Sequence, residues 1–391
     1  MASINLQGDT SGSISISAPS VAGSNTLTLP ATTQTLATQN ALGVRNLIIN
    51  GDMRIAQRAT SATGLTSSGY YTVDRYNLGY TASGSVDITQ STDVPTGQGF
   101  ANSVKIDVAS STTPTGTQAC NFQQKFEGQN LQHLKKGTSS AESLTVSFWV
   151  KSNKTGIYYI EFYDADNTRS ISQAYTINVA DTWEKKTLTF VGDTSGAFDN
   201  DNNLSLTLFF FLSAGPDFSS GTHNSSWGSA TTANRLDSDQ VNFLDSTSNY
   251  INITGVQLEV GDTATPFEHR PYDMELARCQ RYYVKWLVPT NTGIGATTWA
   301  TAVSTTLADG VIFLPTTMRT ASPSLTVNSL QYYISTTSGT GSSGTWSLAY
   351  ATNDKVKVIR YTHGSGVFTA GTAIAFTGNG ASGYLALDGE L

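Results

Sequence analysis

An all-β fold is what this sequence predicts, and three observations carry the prediction. Charged residues fill only 13% of the 391 positions while aromatic residues reach 10%, a balance that separates the chain from disordered sequences, which are poor in rings. Ser, Thr, Asn and 35 Gly take up much of the remainder, the composition of short strands joined by tight turns. Apolar and polar residues also alternate along several runs, the signature of strands with one covered face. The length suits two or three domains at roughly 150 residues each.

Residues 1–44 form an N-terminal β leader with one charged residue, Asp9, and no aromatic ring. Ile14 and Ile16 alternate with serines and Leu27 and Leu29 with threonines, and the stretch from Pro19 to Asn25 supplies a turn. Two short strands follow from that pattern, too small to be stable alone. A flexible tail is the competing reading.

Residues 45–270 carry dense strand signals. In Ser143-Leu-Thr-Val-Ser-Phe-Trp-Val-Lys151, Leu144, Val146, Phe148 and Val150 share one face and Thr145, Ser147, Trp149 and Lys151 the other. A turn at Lys154-Thr-Gly156 leads to Ile157-Tyr-Tyr-Ile-Glu-Phe-Tyr163, which makes a hairpin. Trp183 to Phe190, Leu204 to Leu212 and Tyr250 to Val260 continue the series. Strands of this spacing without helices between them predict a jelly-roll or β-sandwich domain. Residues 271–289 hold the one convincing helix, capped by Asp273 and running from Pro271 to about Trp286; it links to a second, small β-sandwich-like domain at 290–391. Strand signals there lie at Thr297 to Leu307, Gly310 to Leu314, Leu325 to Ile334, Thr345 to Ala349 and Lys355 to Tyr361.

The net charge is −7, with no basic run longer than Lys135-Lys136 or Lys185-Lys186, so a phosphate-tracking nucleic-acid surface is not expected. The longest apolar run, Leu204 to Leu212, falls far short of the ~20 residues of a membrane helix. The opening residues lack a secretory pattern, and Cys120 and Cys279 do not make a disulfide framework. A protein made in a cytoplasm is therefore expected. Four histidines without metal spacing, no Gly-x-Ser-x-Gly elbow and no phosphate-cradling loop argue against an enzyme. Carboxylates such as Asp217 and Asp237 can be nominated as a pair, but sequence does not set their separation.

Gly43-Val-Arg-Asn-Leu-Ile-Ile-Asn-Gly-Asp-Met-Arg-Ile-Ala-Gln-Arg58 with Tyr71-Thr-Val-Asp-Arg-Tyr76 resembles the opening of a β domain of phage tail-fibre-like proteins. Val256 to Gly261, Ala264-Thr-Pro-Phe-Glu-His-Arg-Pro271 and Glu275 to Tyr283 resemble its close, and the Gly12-to-Thr38 stretch looks like the leader of such proteins. The terminal Leu385-Ala-Leu-Asp-Gly-Glu-Leu391 also fits. The resemblance implies a tailed-bacteriophage virion protein of the tail fibre, usually a homotrimer. Its N-terminal segment would attach to other virion proteins, and its central fold is similar to carbohydrate-binding jelly rolls. Host recognition through cell-surface glycan follows; the rival is a purely structural fibre, adaptor or head protein that contacts only other virion proteins.

Sugar rings stack their C–H faces on exposed aromatic rings while polar groups fix the hydroxyls. Trp227 is the leading candidate, in a polar stretch from Ser219 to Ala230, with His223, Asn224 and Asp217 nearby. Trp149, Tyr159 and Tyr163 are candidates on a sheet face, with core packing as their favoured alternative. No cofactor is expected. Asp199-Asn-Asp-Asn-Asn203 has the oxygen density of a calcium loop, and Asp199, Asp201 and Asn203 are the candidate ligands. A plain polar turn competes, because Leu204 and Phe210 stand where an EF-hand has Gly and Glu.

Overall fold

A computed structural model describes residues 3–7, 11–17, 45–288, 296–334, 339–341, 343–349, 356–378 and 383–391. The chain divides into two compact units, residues 1–43 and 44–391. In the first, β1 (Ser3–Gln7) and β2 (Ser13–Ser17) form an antiparallel hairpin whose register sets Ile4 opposite Ile16 and Leu6 opposite Ile14. The preceding strand, whose Ser-Ile-Asn-Leu-Gln run has the same alternation, pairs with Ile14 and Ile16, a partner the sequence does not lead one to expect; Leu27 and Leu29 lie outside the described residues.

The second unit begins with a sandwich of twelve strands. In chain order they are β3 (Ser61–Leu65), β4 (Tyr76–Tyr80), β5 (Ser85–Ser91), β6 (Ser103–Ser110), β7 (Ala119–Glu127), β8 (Leu144–Ser152), β9 (Gly156–Asp164), β10 (Arg169–Ile177), β11 (Glu184–Phe190), β12 (Leu204–Ala214), β13 (Gly228–Ser229) and β14 (Tyr250–Val260). One sheet runs β13-β10-β9-β12-β7-β4 and the other β11-β8-β14-β6-β5-β3. This is a jelly-roll-type sandwich in an almost wholly β chain, as the alternation predicts. Val146, Phe148 and Val150 from β8 meet Ile160, Phe162, Leu208 and Phe210 from β9 and β12 in one core. Edge-to-face contacts lock it, with Phe148 and Phe210 centred 5.1 Å apart and Phe162 and Phe190 4.8 Å apart.

The run Tyr250-Ile-Asn-Ile-Thr-Gly-Val-Gln-Leu-Glu-Val260 changes parity midway: Ile251 and Ile253 are buried, then Val256 and Leu258. An extra residue between Thr254 and Gln257 restores the inward face. Gly255 makes that bulge, at φ 61°, and a Cβ there would lie 2.6 Å from Phe100 Cζ. Only glycine meets both demands.

The helix is shorter than the sequence suggested. α1 covers Tyr272–Gln280, Pro271 rather than Asp273 occupies its N-cap, and no side chain caps it. Asp273 lies in the first turn, where a carboxylate still favours the positive end of the helix dipole. Residues predicted to extend it form β15 (Tyr283–Leu287) instead, paired with the last strand of the chain. The run Tyr-Val-Lys-Trp-Leu suits a pleated surface, and an available edge decides the outcome.

The remaining strands are β16 (Ala296–Ala302), β17 (Leu307–Phe313), β18 (Ser324–Asn328), β19 (Leu330–Ile334), β20 (Gly339–Gly341), β21 (Thr345–Leu348), β22 (Val356–Thr362), β23 (Ala373–Gly378) and β24 (Tyr384–Asp388). Sheets β15-β24-β18 and β20-β19-β23-β16-β17-β22-β21 share a second core, to which Val284, Leu385 and Leu387 contribute from one sheet and Ile312, Ile359 and Phe376 from the other. The second sandwich-like part is thus present. Its interior strand β23, Ala-Ile-Ala-Phe-Thr-Gly, is not among the strands the sequence predicts, because two alanines weaken its β signal.

The segments that carry the fibre resemblance meet in a buried polar network. Asn46 Oδ1 accepts from the Ile48 and Leu258 amides, and its Nδ2 donates to Val256 O at 3.1 Å. Arg270 donates to Ile48 O and approaches Glu275, which in turn accepts from the Asn50 amide. Farther along, Arg281 forks onto Glu127 at 2.8 and 2.6 Å, Arg58 pairs with Asp388, and Arg75 pairs with Glu390. These motifs tie the start, the close and the tail of the unit together.

Candidate functional site

The outer face of the β10-β9-β12-β7-β4 sheet is set out in rows by the strand register. One row reads Ala174, Tyr159, Phe211, Asn121, Gly79; the next Ser172, Glu161, Phe209, Gln123, Asn77; the third brings Ser170 and Tyr163 beside Thr207. Four of these positions are aromatic and seven others carry an amide, carboxyl or hydroxyl group, which is unusual for the solvent side of a sandwich.

Residues 215–241 cover half of this face. Phe218 and Leu236 from that segment pack with Tyr159, Phe211 and Ala119 as a separate small core. Arg235 fastens the segment down. Its guanidinium forks onto the fully buried Glu161, with Nε 2.8 Å from Oε1, and lies over the rings of Tyr163, Phe209, Phe211 and Phe218 at 5.0–5.7 Å. Burial pushes the Glu161 carboxyl above its ordinary range, and the Arg235 charge and hydrogen bonds oppose that.

Beyond the edge of this cover lie half-buried Tyr163 and Phe209, then Gln123, Asn77 and Asn121, each 8% exposed. Gln123 Nε2 donates to Asn77 Oδ1 at 2.8 Å. Asn121 Oδ1 is buried without a hydrogen-bond partner, and among the described residues the Gln123 side-chain carbonyl, the Asn77 and Asn121 amide nitrogens and the Tyr163 hydroxyl make no hydrogen bond. Asn121 lies flat over Gly79, where an added Cβ would sit 2.2 Å from its Oδ1. Rings flanked by amides with unused donors and acceptors have the composition of a site for a polyhydroxylated ligand.

The predicted residues fall differently. Trp227 is not a free platform: its half-buried ring packs against the main core, its Nε1 donates to Val191 O at 2.8 Å, and the Lys136 ammonium lies 5.5 Å from its centre. The Ser/Gly-rich surroundings suggested exposure, but the stretch folds back as the short strand β13 against β10. His223 is held by Ser172 at 2.8 Å and by the edge of Tyr159, while Asn224 donates to Ser170 Oγ and Ser229 O. Both serve the cover. Asp217 is exposed in a 3-10 turn, Pro216–Ser219. Tyr159 is buried and donates to Asp239 at 2.6 Å. Trp149 lies on the outer face of the opposite sheet, between Lys185 and Thr254, so it is not brought together with Tyr163. Phe209, Asn77, Asn121 and Gln123 were missed, because pairing across three strands is what assembles them.

The candidate calcium ligands Asp199, Asp201 and Asn203 lie in the turn before β12. Asp201 spends its carboxylate on the Asn203 main-chain and side-chain nitrogens, Asp199 is exposed, and Asn202 docks on Arg319 of the C-terminal part. Among the described residues no group of three or more His, Cys, Asp or Glu is placed to hold a metal. The oxygen cage of this sandwich belongs to a lysine. Lys136 Nζ lies 2.6 Å from Asp164 and 3.1 Å from Asp193, and donates to Ser195 O at 2.8 Å and Gly196 O at 2.6 Å.

No protein-family model and no curated protein matches the chain. Solved structures similar to it include the enzymatically active domain of a tailspike of bacteriophage CBA120, at 18% identity and a TM-score of 0.31, covering 55% of this chain and 21% of that one. Another is a family 11 carbohydrate-binding module from Clostridium thermocellum in complex with a mixed-linked tetrasaccharide, at 12% identity and a TM-score of 0.26, covering 53% of this chain and 99% of the module. The chain thus spans about a fifth of the tailspike domain's length.

Proposed function

We propose that this chain is a non-enzymatic surface protein of a tailed phage, of the tail-fibre type, that attaches to host-cell glycan. Contact is made by the part of the β9-β12-β7-β4 face that residues 215–241 do not overlie. The observation that carries the reading is the placement of Tyr163 and Phe209 beside Asn77, Asn121 and Gln123 with their polar groups unspent. Rings supply stacking area and amides supply directional hydrogen bonds. Residues 1–44 serve as the attachment to other virion proteins in this reading, and three copies associate, as the fibre resemblance implies. Probing a panel of bacterial surface polysaccharides with the full chain tests it: retention on a defined saccharide, with no new reducing ends, is expected.

A specific observation favours the structural rival. On the outer face of the seven-stranded sheet Trp299, Val311, Phe313 and Val356 are 60, 42, 74 and 38% exposed, and the register aligns Phe313 with Val356. An apolar sheet face of this kind is the surface a structural protein presents to other chains. Failure to bind any polysaccharide, together with stable association with other virion proteins, selects that rival.

A further inference from the structure

A second site lies where the end of β7 meets α1. A cleft of about 560 Å³ is lined by Leu47, Ile49 and Phe126 on its apolar side and by Arg75, Lys125, Arg278 and Arg281 on its charged side. Its size is that of small-ligand clefts, roughly 300–1,000 Å³. Glu127 is the one acidic residue in the lining, in a chain whose net charge is −7.

The cations are unequally matched. Arg281 is held by Glu127 and Arg75 by Glu390. Lys125 donates to the main-chain oxygen of Leu391 at 2.7 Å, and the Glu390 charge also favours its cation. Arg278, half-buried, has neither a hydrogen bond nor an ion pair among the described residues. Arg75 is 1% exposed and its Nε is buried without a partner. Burial and the nearby Arg270 charge work against the Arg278 cation while Glu275 and Glu268 favour it from a distance, and with no direct partner among the described residues its guanidinium is open to an anion entering the cleft.

We propose that this cleft binds a carboxylate-bearing sugar residue, with Arg278 as its charge partner. Arg278 offers a planar fork that matches a carboxylate, and the Arg–carboxylate pair is the geometry in which charge-assisted hydrogen bonds are strongest. Asn130, exposed at the rim, and the free carbonyl of Gln129 suit ring hydroxyls. Phe126, Leu47 and Ile49 form the floor for the C–H face. The site is distinct from the amide-rich sheet face, and it extends the ligand class from neutral to acidic saccharide.

Titration calorimetry on the full chain with trigalacturonate, its neutral galactose counterpart and inorganic phosphate tests the assignment. Trigalacturonate is expected to bind at least about tenfold more tightly than the neutral sugar, and Arg278→Gln to lose about tenfold in affinity with an unchanged melting curve. Gln123→Ala is expected to leave trigalacturonate binding intact, which separates this site from the sheet face. Equal binding of both sugars, no binding of trigalacturonate, phosphate binding as tight as the uronate, or full affinity in folded Arg278→Gln each overturns the proposal. Loss in Gln123→Ala with none in Arg278→Gln overturns it too, while leaving the sheet-face reading standing.

Discussion

Arg235 forks onto Glu161, Nε lying 2.8 Å from one carboxylate oxygen and 3.0 Å from the other, and the glutamate has no exposed side-chain surface. This pair is the buried ionic contact among those that hold residues 215–241 against the sheet.

Removing the arginine strands a buried carboxylate. Arg235→Met is expected to cost about 3–5 kcal/mol at pH 7. Glu161 already sits above its ordinary range, burial being the cause that Arg235 opposes, and without Arg235 it rises further. A raised carboxyl binds its proton more tightly in the folded state, so its contribution is fullest at low pH and is lost as pH rises through the folded value. The variant's melting temperature should therefore drop between pH 4.5 and 7 relative to the parent protein. A constant offset at both pH values would refute the buried-pair account.

Lys136 is the second pinning charge. Its side chain is 4% exposed, Asp164 0% and Asp193 2%, so Lys136→Met leaves two carboxylates facing each other with Arg169 bound to only one of them. A loss of about 3–5 kcal/mol is expected in denaturant unfolding. A loss under about 1 kcal/mol, the magnitude of a surface pair, would show that the cage is hydrated.

Asp74 provides a pH marker. Burial raises its carboxyl to about 6, against hydrogen bonds from Gln57 and the Arg58 charge that lower it. Folding therefore favours its protonated form, and its contribution to stability falls as pH rises from about 4 to about 6. Carboxyl-carbon NMR should follow this titration near pH 6. A midpoint below 4 would mean that water reaches the site.

Gly255 tests the parity change in β14. Ala at that position meets Phe100 Cζ at 2.6 Å on a backbone held at φ 61°, and a destabilisation of about 2 kcal/mol or more is expected from clash and strain together. An unchanged melting temperature would argue that the bulge relocates freely.

Much of the fold was legible before the structure. The alternation in Ser143–Lys151 fixes which face of β8 is buried, and Val146, Phe148 and Val150 sit in the core as it requires. Local signals failed where a distant partner decides. Tyr283–Leu287 reads as helix until the tail strand pairs with it, and Trp227 reads as exposed until β13 folds back on β10. The amide face was illegible for the same reason, since Asn77, Asn121 and Gln123 stand on two strands that only tertiary pairing brings together.

The central claim rests on that face, and one comparison tests it most directly: titration of a retained saccharide against the parent protein, Asn121→Ala/Gln123→Ala, and Trp227→Phe. The amide double variant is expected to lose tenfold or more in affinity, at about 1 kcal/mol per lost hydrogen bond, with its melting curve close to the parent's. Trp227→Phe is expected to keep its affinity, because that ring packs inward. Full binding by the folded double variant, or loss confined to Trp227→Phe, would contradict the account.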